Sequence, residues 1–259
     1  FQRVESTVIA NDNVAEGIYV MRLNAPQLAT NAHPAHFVNV QTDPGLSPFL
    51  RRPLSILNTN PDEGWVEIYY DVIGPGTARL ERCAPGDGLN LLGPLGLPCQ
   101  PKASHTLLVG GGVGIVPLAF LAFHHPELRQ QMTLLMGAAT RARMPEMSRI
   151  VPSDLTTILA TDDGSIGHHG YVTDLIASNL KPDTEILTCG PYGMMARVAE
   201  IAADAGVACY ASLENHMACG FGACFGCVIE HRSPERDDLK YRRVCIEGPV
   251  MDASQIVWT

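Results

Sequence analysis

Along the first hundred residues, apolar positions recur in short alternating or β-rich runs. These are Ile18 to Leu23, Phe37 to Thr42, Leu54 to Leu57, Val66 to Val72 and Gly88 to Leu92. Turn signals separate them: NAPQ, DPG, NPDEG, APGDG and GPLGLP. Strands bounded in this way predict a small antiparallel barrel. The opening FQRVESTVIAND is polar and strand-like as well, and Thr77 to Cys83 predicts one short helix.

From about residue 101 the period changes. Thr106–Val109, Met132–Met136, Thr157–Ala160 and Glu185–Thr188 are short, wholly apolar or β-rich runs, and Ala208–Leu213 adds a last one. Ile115–His124, Tyr171–Asn179 and Tyr192–Ala205 carry helical patterns between or after them. Strands alternating with helices predict a parallel sheet covered on both faces. Residues 214–259 have little regular pattern and are rich in cysteine, so something other than a large core must hold them. The expected organisation is a β-barrel domain over 1–100, an α/β parallel-sheet nucleotide-binding domain over 101–213 and a small C-terminal domain over 214–259.

Composition narrows the function. The 259 residues are 46% hydrophobic and carry a net charge of −9. That surface does not suit nucleic acid, whose phosphates call for a basic face. Leu107 to Phe123 has no charge over 17 residues, but a membrane helix needs about 20. Five glycines and prolines at Gly110, Gly111, Gly112, Gly114 and Pro117 make it strand, loop and helix instead, so no membrane span is expected. A polar start gives no secretory signal. A chain of this size has no need of disulfide staples, which points to a reducing, cytoplasmic compartment.

Four of the eight cysteines cluster. Cys219-x4-Cys224-x2-Cys227, followed after 17 residues by Cys245, is the plant-type ligand spacing of a [2Fe–2S] cluster. A loop that wraps two irons must turn sharply and aim backbone N–H groups at the sulfurs. Gly220, Gly222 and Gly226 permit that, and Ala218 and Ala223 keep the loop thin. Structural zinc more often uses C-x2-C pairs, and disulfides suit a different compartment, but both remain open at this point. His216 could imitate a ligand, although four cysteines complete the set.

An iron–sulfur cluster carries single electrons, whereas a nicotinamide takes hydride. A chain that joins the two should hold a flavin, which does both. The stretch Arg51-Arg52-Pro53-Leu54-Ser55-Ile56 can aim a cation at a flavin pyrophosphate and a hydroxyl at its rings. A solvated arginine pair is the simpler alternative. Gly74-Pro75-Gly76-Thr77 opens the short helix, where backbone amides can receive phosphate or simply make a turn with a Thr cap. Gly110-Gly111-Gly112-Val113-Gly114-Ile115 lies between strand and helix. It fails the G-x-G-x-x-G pattern because Ile115 replaces the third glycine, yet glycines there still let a ligand approach the backbone. Cys189-Gly190-Pro191 puts another glycine at the carboxyl edge of the sheet, where α/β folds bind ligands.

These pieces stand in a familiar order. RRPLSI, GPGT, GGGVGIVPL, TDDGSIGHHGYVTD, CGP, SLENHMACGFGACFGC and VCIEGP resemble the motifs of the iron–sulfur electron-transfer subunits of two-subunit, NAD-linked dihydroorotate dehydrogenases. That family lies within the ferredoxin–NADP reductase superfamily, and the resemblance covers nearly the whole chain. It implies FAD held by Arg52, Pro53, Leu54, Ser55, Tyr69 and Tyr70, with Gly76 and Thr77 at its phosphates. It implies a cluster on Cys219, Cys224, Cys227 and Cys245. It implies NAD, as co-substrate, bordered by Gly111, Gly112, Gly114, Cys189, Gly190 and Pro191, with Asp162, Asp163 and Gly164 at the rim. It further implies an FMN-containing dihydroorotate dehydrogenase as catalytic partner in a 2+2 heterotetramer, serving pyrimidine biosynthesis, and no substrate acid or base in this chain. Two departures stand out: Asp71 and Pro75 occupy positions where relatives often carry a basic residue. The alternatives are a flavin/iron–sulfur subunit of another reductase, such as an NADH:ferredoxin oxidoreductase, and a colourless, non-catalytic zinc-binding module.

Overall fold

A computed structural model describes residues 1–43, 45, 47–232 and 240–258. The last expected domain, 214–259, therefore includes positions 233–239 and 259 that lie outside the described residues. Six strands close a barrel in the order β1-β2-β5-β4-β3-β6. They are β1 (Gln2–Ala15), β2 (Ile18–Asn24), β3 (Phe37–Gln41), β4 (Arg52–Asn60), β5 (Trp65–Asp71) and β6 (Gly88–Leu95). All their pairings are antiparallel. In the first half of β1, buried positions alternate with exposed ones, as expected for a strand with one face inward. Two helices interrupt the barrel: α1 (Pro26–Asn31) and α2 (Pro75–Glu81). Of these α1 was not expected; it buries only Leu28 and Ala29.

A seven-stranded sheet follows, in the order β10-β9-β8-β7-β11-β12-β15. Its strands are β7 (His105–Gly111), β8 (Met132–Ala138), β9 (Thr156–Thr161), β10 (His168–His169), β11 (Thr184–Cys189), β12 (Ala208–Ser212) and β15 (Val250–Asp252). Every residue of β7, β8 and β11 is buried, the signature of a sheet covered on both faces. The covering helices include α3 (Ile115–His124) and α6 (Tyr192–Ala205). Shorter helices are α4 (Met147–Ile150) and α5 (Ile176–Asn179). The helix expected over Tyr171–Asn179 begins instead as a 3-10 turn, Val172–Leu175, before α5. The Asp174 carboxylate accepts the Tyr171 N–H at 3.1 Å, which tightens that turn.

The sheet is parallel except at one edge. β15, near the chain's end, runs antiparallel to β12, with Ser212 opposite Val250. Between these two neighbours the chain makes the cysteine-rich excursion. It contains a two-stranded ladder, β13 (Val228–Glu230) with β14 (Tyr241–Arg243), and the short helix α7 (Val244–Glu247).

Barrel and sheet share a core. Ile18, Val20, Leu57 and Tyr69 of the barrel cluster with Leu108, Ile115 and Leu118. From α3, Phe120 reaches the barrel interior beside Leu28 and Ile68. Ile115 to Ala122 are all buried, so α3 is apolar all round because it is packed between two layers. Among the described residues, no helix is long and apolar enough to cross a membrane.

Candidate cofactor and dinucleotide sites

The first cavity, of about 320 Å³, lies where three parts of the chain meet. The barrel contributes Arg52 to Ser55, Tyr69 to Asp71 and Gly74 to Thr77. The sheet contributes Val113, Val116 and Cys189, and the start of the cysteine-rich segment contributes Asn215 and Met217. Gly76 is needed for a specific reason: a Cβ there would collide with the Arg52 guanidinium. Its absence lets the cation lie over the first turn of α2. Thr77 Oγ accepts the N–H of Ile73 at 3.1 Å, tying that turn together.

Two tyrosines expected at the flavin behave differently. The Tyr69 hydroxyl is buried with no hydrogen-bond partner among the described residues, and burial pushes its pKa up. A neutral, orphaned hydroxyl in a cavity wall is a group waiting for a ligand atom. Tyr70 donates its hydroxyl to Asn11 Oδ1 at 2.9 Å; it lines the cavity with its ring and spends its polar end elsewhere. The cavity thus has an apolar body, one cation at the α2 end and an unsatisfied hydroxyl, which fits FAD.

The second cavity, of about 570 Å³, opens at the carboxyl ends of the parallel strands, where α/β sheets bind nucleotides. Gly111, Gly112, Gly137, Ala138, Asp162 and Pro191 are among its walls. Gly112 has φ +55° and open space where a side chain would be. Gly114 and Gly190 line neither cavity. A Cβ on Gly114 would overlap the Cys189 carbonyl, and one on Gly190 would meet the backbone of Gly111. They let two loops cross closely. Cys189, expected here, faces the first cavity instead; burial pushes its thiol well up. At the rim, Asp162 lines the cavity, while Asp163 accepts from Ser165 N at 3.0 Å and so is occupied within its own turn.

The cysteines come as two pairs. Burial pushes the Cys219 thiol up, but the amides of Phe221, Cys224 and Ala223 and the Cys224 thiol outweigh it and hold it at about 7. Cys245 N donates to Cys227 Sγ at 3.4 Å. Burial and that neighbouring thiol push Cys245 up to about 12. Gly226 N donates to Cys224 Sγ at 3.4 Å. Gly220 and Gly222, at φ +77° and +89°, make the turns that aim these amides. Two thiol pairs wrapped in amide donors fit a two-iron cluster. His216 is exposed.

Sequence reasoning missed the residue that joins this loop to the barrel. Asn39 on β3 is fully buried and donates from Nδ2 to the Cys219 carbonyl at 3.0 Å. A side chain at Gly220 would collide with the same amide. The available signal was an asparagine inside the apolar run FVNV. Arg243 also donates to the Gly222 carbonyl at 3.0 Å and lies over the Phe225 ring at 4.6 Å.

Known proteins resemble the chain throughout its length. The family described as the iron–sulfur cluster binding domain of dihydroorotate dehydrogenase B matches residues 214–257. The dihydroorotate dehydrogenase B (NAD(+)) electron transfer subunit of Desulforamulus reducens is 34% identical, with 98% of each chain covered. Its namesake from Geobacillus thermodenitrificans is 36% identical, again over 98% of each. Among solved structures, one reported as an NADH-dependent reduced ferredoxin-NADP oxidoreductase aligns at TM-score 0.86 and 26% identity. It covers 98% of this chain and 90% of that one. A ferredoxin NADP+ reductase from Neisseria gonorrhoeae with bound FAD and NADP aligns at TM-score 0.67, covering 83% and 95%. At 17% identity it speaks for the fold alone.

Proposed function

The chain belongs to the dihydroorotate dehydrogenase B electron transfer subunits, and we propose that it passes electrons from a catalytic partner to NAD+. In this reading the partner contains FMN, oxidises dihydroorotate to orotate for pyrimidine biosynthesis and pairs with this chain as a cytoplasmic 2+2 heterotetramer. Residues 1–100 would form the flavin module, 101–213 the NAD module and 214–259 the cluster module, of which β15 returns to the NAD module's sheet.

When bound, the cluster supplies one-electron carriage and FAD supplies the exchange between single electrons and hydride. The chain's own residues do the rest. Cys219 and Cys224 would ligate one iron, Cys227 and Cys245 the other. The loop amides stabilise negative charge on those sulfurs. Arg52 would face the FAD diphosphate, Ser55 and the free Tyr69 hydroxyl its ring system. Gly111, Gly112 and Pro191 would let the NAD backbone approach the sheet edge. In this reading the acid or base toward dihydroorotate belongs to the partner.

One observation carries this reading: Met217, two residues before Cys219, walls the same cavity as Arg52 and Tyr69. The segment that would hold the cluster touches the space that would hold the flavin, so single electrons have a short path.

The test is the complex purified anaerobically with its partner. Dihydroorotate should reduce NAD+ in the complex. The separated chain should oxidise NADH with ferricyanide, leave dihydroorotate untouched and contain about two irons and two sulfides. A second reading rests on the 26% identity to the NADH-dependent ferredoxin-NADP oxidoreductase. A complex with the right cofactors that dihydroorotate fails to reduce would favour it.

A further inference from the structure

We propose that Arg143 grips the diphosphate of the nicotinamide dinucleotide and that Asp71 is the residue that positions it. This rests on the nicotinamide reading of the second cavity and names the cation that reading lacks. Arg143 ends the turn after β8 and lines that cavity. A guanidinium has five N–H donors. Nη1 donates to the Glu16 carbonyl at 2.6 Å and to Asp71 Oδ1 at 3.3 Å. Nη2 donates to Asp71 Oδ2. This end-on clamp leaves the other edge, Nε–H with the second Nη2–H, without a partner among the described residues. An arginine anchored by one edge with its second fork open is shaped to take two oxygens of one phosphate.

The surroundings agree. The nearby walls, Gly111, Gly112, Gly137 and Ala138, offer no charge. The cavity's other cation, Arg197, pairs with Glu200 at 3.0 Å and is 59% exposed.

The clamp also crosses the two layers. Arg143 comes from the sheet, but Asp71 ends β5 and Glu16 precedes β2, both in the barrel. Gly17, at φ +69°, passes so close that a Cβ would sit 3.4 Å from Nη1. A basic residue at position 71 would repel Arg143. Asp71 turns that position into its anchor.

The full chain with its cofactors bound provides the test. Binding of ADP-ribose, which has the diphosphate but no nicotinamide, is titrated calorimetrically, and NADH and NADPH oxidation is followed with ferricyanide. R143A should weaken ADP-ribose binding roughly 10- to 100-fold. It should raise KM for both nucleotides alike and leave kcat and the flavin spectrum within about 2-fold of the parent. R143K should recover part of the loss, and D71N should raise KM a few-fold while its kcat holds. Thr173→Trp, which fills the cavity, tests the parent reading separately by abolishing ADP-ribose binding. If T173W abolishes binding while R143A does not alter it, Arg143 does not hold the diphosphate. If R143A affects NADPH alone, the fork serves the 2′-phosphate and the inference fails. If T173W itself binds normally, the cavity is not the dinucleotide site.

Discussion

In the barrel, Val38, Val40, Ile56, Ile68 and Leu91 are fully buried and converge from four neighbouring strands of a closed ladder. Between Leu213 and Val250 the picture inverts. Among the described residues only a three-residue ladder forms there, Phe221 and Phe225 are exposed, and the buried anchors are Cys227, Val244 and Cys245. The barrel's shape follows from apolar side chains that water drives inward. The cysteine segment has fewer of them, so in the proposed reading thiolates joined through metal supply the constraint. The two regions, proposed above to hold the flavin and the cluster, owe their order to different forces.

That contrast can be broken most sharply at a proposed cluster ligand. Cys227→Ser should lower iron toward zero and cut partner-dependent NAD+ reduction more than about 100-fold. NADH oxidation with ferricyanide and the barrel's melting should persist. Limited proteolysis should then cut within the segment; a segment that resists protease without iron would show that its own packing suffices. The reciprocal lesion lies in the barrel. Leu91→Ala should cost about 2–5 kcal/mol of global stability, read by denaturant unfolding, with iron per folded chain unchanged. The smallest effect belongs to the tie between the regions. Asn39→Ala removes the bond to the Cys219 carbonyl and should cost about 1 kcal/mol. It should appear as faster hydrogen exchange in the cysteine loop and not in β4 or β5.

Much of the frame was legible because periodicity reported it. Ile115–His124 and Tyr192–Ala205 emerge as helices α3 and α6 at the expected residues, since long segments with consistent patterning outvote local noise. The barrel strands were legible as short runs between turns. The helix α1 was not, because PQLATN buries two residues and so writes no period. Strand β15 was missed for a related reason: VMD is three residues long, and its pairing with β12 depends on the chain returning across the whole excursion. The site divides the same way. The cysteine spacing is local chemistry and stood out in the sequence. Asn39 acts on a carbonyl 180 positions later, and Arg143 gains its role from Asp71, 72 positions earlier. Nothing near either residue announces such a partner. Cys189 shows how chain neighbours can part. Sequence adjacency groups it with Gly190 and Pro191, yet Cys189 lines the first cavity and Pro191 the second.

The pairing of Ser212 with Val250 has an implication for repair. Adjacent strands of one sheet pin both ends of the cysteine excursion, so losing iron cannot let it drift away. Its thiols remain confined to a small volume beside the flavin wall, and the entropy of bringing them back together is largely spent in advance. A stripped subunit is therefore a vessel ready for refilling, and iron and sulfide delivered to it should restore colour without the rest of the chain having to fold again.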